Sequence, residues 1–171
     1  MKPQRRPKED IDRIPDQPID IKPFDPISKQ KSCIYCKQLN QLLAPFGAVA
    51  ELFGSVELEI STKGEWEFAL YLTDEQWFPV LVCLINHFGA IHALMDDFAV
   101  FTDTSEGIDI EVIPMRAEAA KRNQAIMNYW RSDPAALKKY EQGKLQHSFS
   151  KREYYRWKDE YIARIVETLT V

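Results

Sequence analysis

The chain is poor in the residues that covalent catalysis and soft-metal binding draw on: its 171 residues include three cysteines and three histidines. None of them sits in the sequence context of a Ser/His/Asp or Cys/His nucleophilic system, so that class of chemistry is not supported. Cys33-Ile34-Tyr35-Cys36 is a CxxC, but no second CxxC follows and Cys83 falls in a separate apolar segment. The spacing therefore supplies neither a zinc ligand set nor a disulfide framework, and the three cysteines read as plain thiols. The chain also lacks a long apolar run and a signal-peptide pattern, which makes a soluble cytoplasmic protein the default reading. Positive charge is not in excess either. A net charge of -4 and a pI near 5.5 argue against nucleic-acid binding driven by global charge. No repeat or low-complexity tract is present.

What the chain does have is 45% hydrophobic and 28% charged residues, enough for one globular domain with a sizeable core. Prolines are uneven: six of the ten stand at 3, 7, 15, 18, 23 and 26, among charged residues and without a sustained period. Residues 1–29 are therefore expected to form a proline-rich extended arm with a basic start at Lys2, Arg5, Arg6 and Lys8, draped over the domain or a partner subunit through Ile11, Ile14, Ile19, Ile21 and Phe24. The arm is the candidate contact for a homo-oligomer. Residues 30–171 are expected to hold the domain, with C-terminal helices from about residue 117.

The periodicity predicts a helix from Ser28 to Pro45, and a second one opened by the capping-box pattern Thr73-Asp74-Glu75-Gln76 with Trp77, Val80, Leu81, Leu84, Ile85 and Phe88 on its stripe. His87 and His92 flank its end, where a histidine suits the helix dipole. Two strands joined at Asp96-Asp97 follow, then a turn over 103–107. The last third reads as three helices: Ala117 to Arg131, one restarted by Ser132-Asp133-Pro134 and running to about Leu145, and one opened by Ser150-Lys151-Arg152-Glu153 with an aromatic stripe through Tyr154, Trp157 and Tyr161. Such a stripe is buried core more often than a base-stacking platform. The pattern as a whole fits an α+β fold, a mixed sheet with helices packed on it.

Chemistry concentrates in two stretches. Gly54-Ser55 ends the mostly apolar run from Ala48 to Phe53; glycine lets backbone amides approach an anion and serine adds a hydroxyl, so the step is an anion seat. In Glu65-Trp66-Glu67-Phe68, alternation puts Glu65 and Glu67 on one face, roughly 6.5 to 7 Å apart along the strand. In Ile108-Asp109-Ile110-Glu111-Val112 the acids again share a face, opposite branched apolar residues. If the two strands are neighbours, up to four carboxylates converge, and hard oxygen ligands beside phosphates suit magnesium.

The apolar-Gly-Ser element Phe53-Gly54-Ser55, nine intervening residues, Glu65-Trp66-Glu67-Phe68 and the later Ile108-Asp109-Ile110 resemble the nucleotidyltransferase superfamily, the fold of DNA polymerase beta. Asn128-Tyr129-Trp130-Arg131-Ser132-Asp133-Pro134-Ala135-Ala136 with Tyr140, then Tyr154 to Ile165, is similar to the GrpB-like branch, where a YxRxxPxAAxxY run recurs. The resemblance covers about residues 35–169. It implies transfer of a nucleotidyl group from a nucleoside triphosphate to an acceptor, with two Mg2+ ions held by Glu65 and Glu67, Asp109 completing the second metal site, Glu111 able to stand in for Asp109, and Gly54 and Ser55 cradling the phosphates. The chain departs from the superfamily pattern in carrying glutamates in its first acidic pair and Glu57 and Glu59 after Gly-Ser, with Lys63 as the near compensating charge. Eleven of the 22 basic residues lie from Lys121 onward. Lys121, Arg122 and Lys158 are the candidates for phosphate contact, against the alternative of a solvated helix face with local partners. A nucleotide-binding or protein-interaction module without turnover is the alternative on the same fold.

Overall fold

A computed structural model describes residues 5–95, 98–103 and 107–169. The described residues form two compact units, Pro23–Lys121 and the described residues up to Lys22 together with those from Arg122.

The first unit is built on a five-stranded mixed sheet. Its strands are β1 (Ala50–Phe53), β2 (Trp66–Leu72), β3 (Ala93–Met95), β4 (Phe98–Asp103) and β5 (Ile108–Pro114), in the order β1-β2-β5-β4-β3. β2 and β5 are parallel and every other pair is antiparallel. One face of the sheet carries Phe68, Leu70, Phe101, Ile108, Ile110 and Val112, all buried. Against it pack α2 (Pro26–Leu43) through Leu39 and Leu43, and α4 (Asp74–Phe88) through Val80, Leu81 and Leu84. Two packed layers thus close the core, as apolar faces of a sheet and of helices require.

Local signals explain where these helices begin. α4 has the expected capping box, with Thr73 accepting from Gln76 N and the Gln76 side chain returning to Thr73 N. α2 starts two residues before the expected Ser28, because Asp25 caps it by accepting from Ile27 N and Ser28 N while Pro26 takes the first helical position. Its Asn40 side chain pins the start of β1, accepting from Ala50 N at 2.6 Å and donating to Ala50 O at 3.0 Å. A short helix, α3 (Gly54–Glu57), follows β1 directly. The expected turn at Asp96-Asp97 and the middle of the turn over 103–107 lie outside the described residues.

The second unit is helical: α1 (Lys8–Asp12), most of α5 (Glu118–Ser132), α6 (Pro134–Gln146) and α7 (Lys151–Thr168). Asp133 caps α6 with Pro134 behind it, and Ser150 caps α7, as their sequences predict. Aromatic rings fill its interior. Tyr140 stacks on Trp130 at 4.2 Å between centroids and lies 5.8 Å from Trp157 and 5.7 Å from Tyr161. Gly143 makes room for this stack, since a Cβ there would stand 2.1 Å from a Trp157 ring carbon.

Within the same unit the N-terminal segment is tied down. Arg6 donates from its backbone and guanidinium to Asp159 at 3.0 and 2.6 Å and lies over the Tyr155 ring. Ile11 is buried, Arg152 donates to Ile14 O, Ser150 donates to Asp16, Lys151 N to Gln17 O and Ile19 N to Ser148 O. The segment expected to be extended contains α1, and Arg5, Arg6, Ile14, Asp16, Gln17 and Ile19 are hydrogen-bonded to residues of the same unit. Sequence periodicity gave no sign of this, because five helical residues are too few to show a stripe.

Candidate active site

The acid-bearing face of the sheet is the one opposite the core. Register defines it: Glu67 stands beside Asp109, which stands beside Thr102 on β4, while Phe53 flanks Glu67 on β1. Two residues further along, the row reads Glu51, Ala69, Glu111, Val100. The next row pairs Tyr71 with Ile113, and there Ala117, Ala119 and Ala120 at the start of α5 cover the face together with Phe98. The face thus runs from charged at one end to apolar at the other. Parallel pairing in register puts the Cα atoms of Glu67 and Asp109 about 4.8 Å apart.

The side chains around this row are fixed by neighbours. Gly54 has φ +73°, a left-handed conformation natural to glycine, and a Cβ built there would meet Glu67 Oε2 at 1.9 Å. The Glu67 carboxylate therefore rests against the Gly-Ser turn, on the β1 side. Asp109 leans the other way, with Oδ1 accepting from Thr102 Oγ1 at 2.9 Å. Like charges on adjacent strands oppose one another, and the two acids take different partners. Glu65 lies just before β2, and its Oε2 meets Lys63 Nζ at 2.5 Å.

The structure brings Gly54, Ser55, Glu67 and Asp109 into one corner of the sheet, with Lys63 and Glu65 at the entry to β2. Glu111 is one row away, beside Ala69. Lys121, exposed on α5, pairs with Glu118 at 2.9 Å, a local helix-face partner. Arg122 and Lys158 belong to the helical unit, each half-buried on its helix. Three neighbours escaped sequence reasoning. Thr102 and Glu51 reach the acidic face only through strand register, which no local pattern encodes. Lys29 of α2 meets Glu59 at 2.5 Å and Glu57 O at 3.2 Å, so a second lysine offsets the acidic stretch after Gly-Ser.

Magnesium is the ion that the resemblance implies. Among the described residues no three His, Cys, Asp or Glu side chains come together as a metal-holding group. Magnesium, however, is commonly held by one or two carboxylates when substrate phosphates supply further oxygens. Glu67 and Asp109, adjacent on one face beside Gly54-Ser55, are two carboxylates of that kind, each leaning to its own partner; Glu65, engaged by Lys63, stands apart from them.

No known protein-family profile matches the chain, and no curated protein matches its sequence. Solved structures do match. The conserved protein GrpB from Enterococcus faecalis superposes with a TM-score of 0.70 at 14% identity, covering 89% of this chain and all of that one. The RNA terminal uridylyl transferase Cid1 matches at 0.48 and 13% identity over 68% of this chain, which spans 40% of Cid1. A chain of the GLD-2/RNP-8 complex matches at 0.43 and 12% identity. No helix among the described residues is long and apolar enough to cross a membrane. With the mixed sheet, the helices on its apolar face and the helical C-terminal part, the chain has an α+β, GrpB-like fold.

Proposed function

We propose that the protein transfers a nucleotidyl group from a nucleoside triphosphate to a hydroxyl acceptor, with Mg2+ as cofactor. The observation that carries this reading is the register match of Glu67 with Asp109 on parallel strands, with Gly54-Ser55 against Glu67. In this reading Glu67 and Asp109 hold magnesium, which neutralises phosphate charge when bound. Gly54 keeps the turn free of a Cβ, so that backbone amides and the Ser55 hydroxyl approach the phosphate oxygens. Asp109, oriented by the Thr102 hydroxyl, lines up the acceptor hydroxyl and takes its proton. A bond forms from the acceptor oxygen to the α-phosphorus, the bond to the β-phosphate bridging oxygen breaks, and pyrophosphate leaves in line. Lys121, in the first turn of α5 where the sheet unit ends, is the basic residue proposed for phosphate contact, with Glu118 as a competing local partner.

A second reading, a nucleotide-binding module without turnover, is favoured by the Lys63–Glu65 ion pair, which withdraws one acid from the set that the superfamily pattern implies. A thermal-shift titration separates the outcomes, using ATP, CTP, GTP and UTP with and without Mg2+ on the wild type and on a Glu67→Gln/Asp109→Asn variant. A nucleotide at 100 times its Kd raises the melting temperature by about 5–10 °C for a chain of this size. Transferase chemistry predicts a magnesium-dependent rise that the variant loses, followed by pyrophosphate release once an acceptor is supplied. A rise independent of magnesium supports the binding module. No rise with any nucleotide overturns both readings.

A further inference from the structure

We infer that the exposed face of α4 is the contact surface for a second copy of this chain, the two α4 helices packing antiparallel about Val82. The inference is independent of the proposed transfer reaction and uses no residue of the acidic face. It also moves the homo-oligomer contact away from the N-terminal arm, whose Arg6, Asp16 and Ile19 are hydrogen-bonded within their own unit.

α4 is apolar on more sides than its own core uses. Val80, Leu81 and Leu84 are buried against the sheet, yet Phe78, Val82 and Ile85 are 73, 44 and 40% exposed, and residues 76–86 carry no charged side chain. A helix that meets water normally keeps charged and polar residues on that side, and one that is apolar all round is covered. The three exposed residues stand at i, i+4 and i+7, the spacing of a packing seam. Beside the seam, between α4 and the end of α2, lies a groove of about 530 Å3 lined by Leu42, Phe46, Pro79, Val82, Cys83 and Asn86. Each molecule therefore offers a projecting ring, Phe78, together with a hollow able to take one.

A two-fold contact needs a surface that fits itself. Turning a copy of α4 end for end about Val82 brings Phe78 level with the partner's Asn86, on the wall of the partner's groove, and Ile85 level with the partner's Pro79. Charge favours the same direction. Asp74 and Glu75 lie in the first turn of α4 and His87 in its last. Asp74 already has Arg116 at 2.8 Å. In the antiparallel pair Glu75 comes within roughly 3 Å, measured along the axis, of the partner's His87, where an imidazole N–H can donate to the carboxylate. Parallel pairing would instead set Glu75 against Glu75. Acid and base are both present on this one face, so a second copy supplies the complement of each. A contact centred on one helix lies at the small end of stable interfaces, and dimer formation is expected to depend on concentration.

Sedimentation equilibrium of the full chain tests this, over about 1 to 300 µM, the range in which a small interface dissociates. The wild type is expected to pass from monomer to dimer. Val82→Glu sets two carboxylates against each other at the axis and is expected to raise the dimer Kd at least about tenfold. Phe78→Ser removes the ring from the groove and should act in the same direction. Phe149→Ser, an equally exposed ring in the helical unit, should leave the Kd unchanged. Glu75→Lys should weaken the dimer, and Glu75→Lys/His87→Glu should restore it. All of these side chains face solvent in the single copy, so each variant's circular-dichroism melt at low concentration should match that of the wild type. A wild type that stays monomeric over the whole range, a Kd unchanged in both Val82→Glu and Phe78→Ser, or a double variant no tighter than Glu75→Lys overturns the inference; the first of these results assigns the face to a different partner.

Discussion

The two units solve the same burial problem with different materials. In the sheet unit, apolar side chains on one sheet face and two helices make the core, and every strand keeps its other face for different use. In the helical unit the interior is a ladder of stacked rings centred on Tyr140, and polar groups serve as ties for the N-terminal segment. A sheet has two faces and can assign one to packing and one to chemistry, whereas a bundle must turn its best-packed stripe inward. Glu67, Asp109 and Glu111 accordingly lie on the sheet face that does not pack against α2 and α4.

Core truncation tests the contrast most strongly. Phe68→Ala, fully buried beneath α2 and α4, is expected to cost about 3–5 kcal/mol and to accelerate amide exchange in β2 and β5. Tyr140→Ala is expected to cost a similar amount, with faster exchange in α6 and α7. If each variant loosened both sets of amides equally, the division into two units would be wrong.

Glycines sharpen the comparison at a smaller scale. Gly143→Ala would ordinarily stabilise a helix, yet here the added methyl strikes the Trp157 ring, and a loss of about 1–3 kcal/mol by urea denaturation is expected. Gly54→Ala meets the mobile end of Glu67 together with an unfavourable positive φ, about 1 kcal/mol of backbone strain. Its larger effect should be on the position of Glu67, seen as weakened Mn2+ binding.

The mildest probe is pH. Burial pushes the Cys36 thiol above its ordinary range, helped by Cys33 beside it, while Cys33 itself is exposed. Alkylation near pH 8 should therefore label Cys33 before Cys36. The unfolded chain releases the Cys36 proton at lower pH than the folded one, so this residue's contribution to stability falls as pH rises past the ordinary thiol pKa. Equal labelling rates would show that α2 leaves both thiols equally open.

Much of this was legible locally. The Thr73-Gln76 capping box, Asp133-Pro134 before α6, Ser150 before α7 and the acid-apolar alternation of β5 each lie within a few residues, and each appears as read. Gly54-Ser55 at the end of β1 was legible for the same reason, as a strand must end where the backbone turns. Glu51, Thr102 and Lys29 were not, since each reaches the acidic face or its flank through pairing with residues far along the chain. The Lys63–Glu65 contact was half visible: proximity is written in the sequence, but the anchored turn that commits one to the other depends on buried Ser61 and Thr62 and on Gly107 from across the sheet.

The tied N-terminal segment also sets an order of events during synthesis. Arg6 and Asp159 are separated by 153 positions, which a ribosome working at roughly 5–20 residues per second takes about 8–30 s to cover. For that interval the segment has been made but its partners on α7 have not, so its basic residues meet solvent or other surfaces first. The sheet unit, whose strands end at Pro114, is complete in sequence well before then. Every residue of its acidic face has been made while the first residues still wait for the last helix to emerge.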